Sequence, residues 1–226
     1  MRTKTLFIAG VMLALSLAIS QAQNIYSANV VGYINQVIQP GLQCIANPLD
    51  NASTNGVNEV MPNLPDGSYV YAYNITSNAF IPYVVYSGVY YNPNTFAVLP
   101  NPTAAPGTGF FVYNAGSVYT NSWQGLIDCP YGGSTNVVLT NTLSMYGPVV
   151  PYTGDIYTIL GFCPPDGSYV YIFDPIAQAF DISVVYSCVY YNPNTFAVNP
   201  DPQVTLGQGF FLYCPTVGTW TQTFNY

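Results

Sequence analysis

The side chains in this 226-residue chain that could do chemistry are almost all acids. Nine carboxylates (Asp50, Glu59, Asp66, Asp128, Asp155, Asp166, Asp174, Asp181 and Asp201) stand against two basic residues, Arg2 and Lys4, and no histidine. Paired carboxylates could cleave glycosides, and Asp66 and Asp166 invite that reading because each opens the same hexapeptide, Asp-Gly-Ser-Tyr-Val-Tyr. That chemistry needs the two carboxyl groups within about 5–10 Å. Equivalent positions in two separate repeats do not bring them together. An Asp that follows Pro and precedes Gly also reads as a turn, its carboxylate bonding its own backbone. Serine-based acyl transfer lacks a base, since neither His nor a retained Lys is present. Gly107-x-Gly109 and Gly207-x-Gly209 lead into Phe-Phe strands and not into a helix N-terminus, so they make poor phosphate loops. Asp50, Asp155 and Asp201 fall in loops without the Asp-x-Asp-x-Asp-Gly spacing of a calcium site, and no Cys-x-x-Cys pair offers a zinc site. We expect no catalytic residue, no metal and no cofactor.

Charge narrows the partners further. Residues 1–22 carry Arg2 and Lys4, an apolar run from Leu6 to Ile19 and small residues around Ser20-Gln21-Ala22, the layout of a removable signal peptide. The apolar run is short against the ~20 residues of a spanning helix, and no later stretch reads as a membrane span. Cleavage would leave a chain from Gln23 with no Lys, Arg or His, delivered to the cell surface or beyond. Nucleic-acid binding, which relies on Lys and Arg to neutralise phosphates, is excluded. Half of the residues are apolar, with 22 Tyr and 12 Phe, which is far from the composition of a disordered chain.

The dominant signal along the chain is an internal duplication. From Asp66 to Tyr113 the chain repeats itself 100 residues later without a gap, and 29 of the 48 paired residues are identical. Val89-Tyr-Tyr-Asn-Pro-Asn-Thr-Phe-Ala-Val98 returns unchanged at 189–198. The front of each unit matches more loosely, with Ala46-Asn47-Pro48-Leu49 opposite Tyr146-Gly147-Pro148-Val149. Runs of β-branched and aromatic residues alternate with Pro/Gly/Asn turn clusters every 8–12 residues or so, which predicts an all-β protein. At most a short helical turn is allowed near Val57–Met61 and near Ile156–Leu160. We expect two tandem β-sandwich domains, jelly-roll or immunoglobulin-like, over residues 23–127 and 128–226, with the seam near Asp128–Gly133.

An exported chain permits disulfides, but its five cysteines are an odd number. Cys163, Cys188 and Cys214 are open to disulfide formation, yet they stand opposite Asn63, Gly88 and Asn114, so the first repeat does without them. Asn51-Ala52-Ser53 and Asn74-Ile75-Thr76 match the N-glycosylation pattern, which marks Asn51 and Asn74 as acceptors if the host glycosylates.

The mature N-terminus alternates as a strand, with Tyr26, Ala28, Val30, Gly32, Ile34, Gln36 and Ile38 on a mostly apolar face. Exposed strand edges invite pairing, and Lys is the usual defence against it. Without Lys, the leading expectation is a structural subunit that self-assembles into a fibre or surface layer, with Tyr26, Ala28, Val30, Gly32 and Ile34 added to a neighbour's sheet as in pili. The alternative is a carbohydrate-binding or adhesive module that uses exposed Tyr and Trp123. Taken in order, Tyr26-Ser27, Val31-Gly32-Tyr33, Ile45-Ala46-Asn47-Pro48-Leu49, Pro65-Asp66-Gly67 and Gly107-x-Gly109-Phe110-Phe111 resemble a group of secreted two-repeat proteins of environmental bacteria. That resemblance implies a secreted β-rich product and supplies no activity or site.

Overall fold

The computed structural model describes residues 31–51, 54–74, 76–129, 132–157 and 161–224. The expected signal peptide and Tyr26, Ala28 and Val30 of the expected assembly strand lie outside them. The first repeat runs through β1 (Val31–Ile38), β2 (Gly41–Ala46), helix α1 (Val57–Val60), β3 (Tyr69–Asn74), β4 (Ala79–Tyr86), β5 (Val89–Tyr91), β6 (Val98–Leu99), β7 (Gly109–Asn114) and β8 (Tyr119–Leu126). The second runs through β9 (Ser134–Leu139), β10 (Leu143–Tyr146), β11 (Gly154–Asp155), β12 (Tyr169–Asp174), β13 (Ala179–Tyr186), β14 (Val189–Tyr191), β15 (Gln203–Val204), β16 (Phe210–Tyr213) and β17 (Gly218–Thr223). Among the described residues the chain is all-β apart from the one turn of α1.

The duplication extends to topology. One sheet runs β2-β7-β3-β4-β5-β6 and the other β10-β16-β12-β13-β14, so the first five strands of each are laid out alike. A two-stranded antiparallel ribbon accompanies each sheet, β1 with β8 and β9 with β17. An immunoglobulin sandwich has three or four strands in its second layer; each large sheet here is accompanied by a ribbon of two.

Alternation decides which faces are buried. Val70, Val85, Tyr90, Phe110 and Val112 point inward from the first sheet, and Ile34, Ile38 and Trp123 meet them from its ribbon. Val170, Val185, Tyr190, Phe210 and Leu212 form the matching core of the second repeat with Leu139 and Trp220. The first core also takes in Cys129, Val150 and Phe224, so side chains from beyond the expected seam complete it.

Register corrects the looser part of the repeat alignment. Ile45 pairs with Phe110 and Tyr146 pairs with Phe210, so Ile45 and not Ala46 is the counterpart of Tyr146. The second repeat is one residue shorter between this strand and its Pro-Asp-Gly turn, and the run of identities begins only after that deletion.

Only two of the three flagged cysteines are joined. Cys163 and Cys188 form a disulfide, while Cys214 is a free, fully buried thiol in the place of buried Asn114. Cys214 lines the second core and has no cysteine beside it to bond. The disulfide closes a loop with a sequence separation of 25. Replacing Cys163 and Cys188 by their first-repeat counterparts, Asn and Gly, is expected to lower stability by about 3 kcal/mol, because the unfolded chain regains the loop's freedom. Chemical denaturation under non-reducing conditions reads this directly.

Candidate binding site

The turn aspartates have a longer reach than their spacing shows. Asp66 Oδ1 accepts a hydrogen bond from Ser87 N at 2.6 Å, and Asp166 Oδ1 does the same from Ser187 N at 2.6 Å. Each carboxylate ties its Pro-Asp-Gly turn to the β4–β5 or β13–β14 hairpin 21 residues away, rather than to its own local backbone. Asp66→Ala is expected to cost about 1 kcal/mol through the lost hydrogen bond, since water can reach the exposed Ser87 N–H, read as a lowered midpoint in urea.

Gly107 and Gly207 occupy left-handed turns, with φ of 84° and 78°, that feed the buried strands β7 and β16. What their spacing does not reveal is that the two repeats meet here. Ile45 bridges Gln208 and Thr108 bridges Tyr146; Ala46 N donates to Gly207 O at 2.8 Å and Gly147 N to Gly107 O at 3.2 Å. Each contact has its mirror, with equivalent residues exchanged, which is the isologous pattern of a two-fold axis. Glycine is required for a steric reason: a Cβ on Gly209 would lie 2.9 Å from Ile45 O and 3.2 Å from Tyr146 O. A Cβ on Gly147 would lie 2.2 Å from that of Ala46, its own counterpart.

Around this axis the outer faces of the sheets touch. Cys44, Phe111, Met145, Phe173 and Phe211 are buried together, with Leu42, Tyr71, Tyr73, Leu143 and Tyr171 packed around them. Phe211 lies at 5.7–5.8 Å from Tyr73, Phe80 and Phe111 and at 6.0 Å from Phe180, ring centre to ring centre. An apolar cleft of about 570 Å³ sits on the axis, framed by the equivalent pairs Leu42 and Leu143, Tyr71 and Tyr171, Phe80 and Phe180, and Phe111 and Phe211. From it the outer faces carry tyrosines outward on both sides. Tyr69 stacks beside Tyr71 at 6.1 Å and Tyr169 beside Tyr171 at 6.4 Å, with Tyr113 and Tyr213 alongside. Beyond these, Tyr86, Phe96 and Val98, and their copies Tyr186, Phe196 and Val198, are exposed.

Two tyrosines that frame the cleft are displaced from their ordinary acidity. Burial, and then the neighbouring hydroxyls of Tyr69 and Tyr113, pushes Tyr71 above the usual phenol range; burial, then Tyr69, does the same for Tyr171. Burial alone takes Tyr119 to about 12. All three move away from neutrality, where a general base would be poised. Among the described residues no three His, Cys, Asp or Glu side chains gather as a metal site.

The other flagged positions have structural surroundings. Trp123 is not exposed: it is 3 % accessible, and its indole N–H donates to Asn47 Oδ1 at 3.1 Å. Asn47 is itself fully buried, receives Leu49 N and donates to Ala104 O. Asn51 donates to Gln124 O at 2.7 Å and accepts from Asn47, so both ends of its carboxamide are engaged. Asn74 Oδ1 closes the β3–β4 turn through Thr76 N and Ser77 N. Gly32 and Ile34 lie on β1, already paired with β8 of the same chain, and Ile34 is fully buried. Nor are all the edges bare. Gln178, from the β12–β13 turn, bonds both N and O of Leu42 on edge strand β2, and Tyr73 Oη donates to Leu143 O on edge strand β10.

Compared with protein-family models, with curated proteins and with solved structures, the chain finds no match. Among the described residues no helix is long and apolar enough to cross a membrane.

Proposed function

We propose that this chain is an exported, non-catalytic surface protein that adheres to extracellular glycan through the tyrosine-bearing outer faces of its two sheets. We read each repeat as a small two-layer sandwich whose inner face makes the core and whose outer face makes the contact. The observation that carries this reading is the convergence of both aromatic faces on one cleft at the pseudo-two-fold axis. Aromatic rings on a rigid sheet present large apolar area with hydroxyls at the rim, at little entropic cost, which suits the alternating apolar and hydroxylated faces of sugars. The absence of basic side chains after the signal peptide, and tyrosines shifted away from neutrality, support a binding role over acid–base catalysis. The likeness to secreted two-repeat bacterial proteins agrees with export.

Depletion of the processed protein from solution by insoluble cellulose and chitin tests this. Binding to at least one is expected, and Tyr69, Tyr71, Tyr169 and Tyr171 changed together to Ala are expected to weaken it about tenfold or more. No binding to either polysaccharide, or binding indifferent to the four substitutions, would refute the reading.

Self-assembly remains a second reading on a specific observation. Among the described strands β1 has only β8 beside it, and Val31, Tyr33 and Val37 project from it exposed at 65 %, 62 % and 53 %. Assembly would use the free edge of β1 rather than donation of Gly32 and Ile34, which are engaged at home. Concentration-dependent sedimentation that is abolished by Val31→Lys and Tyr33→Lys would favour it.

A further inference from the structure

The repeats differ most tellingly beside strand β13, where their sequences are otherwise nearly identical. Residues 184–187 repeat 84–87, and 189–198 repeat 89–98, without change. On either side of these runs, Ile81, Tyr83, Leu99 and Asn101 of the first repeat become Asp181, Ser183, Asn199 and Asp201. In the first repeat Tyr83 is buried, its ring edge-on to Tyr90 at 6.0 Å, and Leu99 packs against the same core. In the second, Ser183 accepts a hydrogen bond from Asn199 Nδ2 at 3.1 Å. A cleft of about 600 Å³ lies there, lined by these four polar residues with Ile172 and Phe180 as apolar walls. Its size falls in the ~300–1,000 Å³ range of small-ligand sites.

The lining sets the class of ligand. Two carboxylates accept no hydrogen bond from other described residues, Asn199 Oδ1 adds a third acceptor, and no cation is nearby to draw an anion. Such a cleft favours a neutral molecule rich in hydroxyl donors, whose C–H side would rest on the apolar wall of Ile172 and Phe180. We infer that the second repeat carries a sugar-binding subsite between β13 and the 199–203 loop, while the first repeat keeps the same place plugged by Tyr83 and Leu99. This rests on the glycan reading above and gives it a defined pocket.

The experiment is calorimetric titration of the processed full-length protein with cellotetraose, chitotetraose and mannotetraose in turn. At least one is expected to bind. Ser183→Tyr with Asn199→Leu, which restores the first repeat's plug, is expected to lower affinity about tenfold or more, and Asp181→Asn severalfold. Because Asp181 is exposed, the single variant is expected to keep the wild-type melting temperature. Binding lost in the Tyr69/Tyr71/Tyr169/Tyr171 variant but unchanged by both cleft variants would overturn the subsite and leave the adhesive faces standing. Failure of all three sugars, or a saturable calcium site in CaCl₂ titrations that Asp181→Asn removes, would overturn it too. Cleavage of a bound sugar would uphold the cleft and overturn the non-catalytic reading.

Discussion

Gly209→Val is expected to destabilise the whole protein by about 3 kcal/mol or more, although Gly209 is not among the glycines with positive φ. The Cβ alone would stand 2.9 Å from Ile45 O, 3.1 Å from Cys44 Sγ and 3.2 Å from Tyr146 O. Ile45 and Tyr146 belong to strands of different repeats, both already held in ladders, so neither carbonyl is free to retreat. The change therefore pushes the two sheets apart at their axis. Gly218→Ala is the control in the same repeat: its Cβ meets only Leu139 Cδ1 at 3.7 Å, an ordinary contact. That substitution is expected to stay within about 0.5 kcal/mol of the parent. Guanidinium denaturation of the two variants separates an effect of the axis from a general intolerance of added methyl groups.

Phe211→Ala is expected to cost about 3–5 kcal/mol, the usual range for a buried ring removed to Ala. Phe211 is 6 % accessible and sits among rings from both repeats. Phe80→Ala is expected to cost less, because Phe80 is 39 % accessible at the mouth of the same cleft. Phe111 and Phe211 face one another at 5.8 Å across the axis, so the double substitution is expected to cost clearly less or more than the sum of the singles. Additivity within about 0.3 kcal/mol would mean that the aromatic seam does not couple the repeats.

Much of the fold could be read from residue order. The alternation of Gly32, Ile34 and Ile38 marked the face of β1 that is buried, and the Pro-Asp-Gly and Asn-Pro-Asn clusters marked the turns. The duplication announced two sheets of one design. What could not be read is how the copies meet, because contacts of equivalent residues across an axis leave no spacing in either repeat. Gly109 and Gly209 looked like turn glycines for that reason, when the space they vacate is what lets the backbones touch. The partners of Asp66 and Asp166 were missed similarly: a bond to Ser87 or Ser187 depends on a hairpin returning to the turn. The burial of Trp123 leaves no mark in its own strand, because buried Asn47, which supplies the acceptor its indole needs, lies 76 residues away. One signal for the polar cleft was visible beforehand. Tyr83 against Ser183 and Leu99 against Asn199 are large changes of size and polarity within stretches that otherwise hardly vary.

The absence of basic side chains beyond Lys4 points toward unguarded strand edges, but the edges are not all bare. Side chains can satisfy an edge without charge, as Gln178 does at Leu42 and Tyr73 at Leu143. In both cases the guard comes from the opposite repeat. Locking the repeats together thus protects the outer strands and assembles the aromatic cleft at once, so stability and the proposed binding surface share one cause.

The chain's two tryptophans offer the most direct test of that union. Trp123 is buried in the first ribbon and Trp220 in the second. Equilibrium unfolding would be followed by fluorescence in Trp220→Phe, which reports the first repeat, and in Trp123→Phe, which reports the second, with circular dichroism on each. One cooperative body predicts that fluorescence and dichroism give the same midpoint within each variant. A fluorescence transition well separated from the dichroism transition, with one repeat still folded after the other has opened, would contradict it.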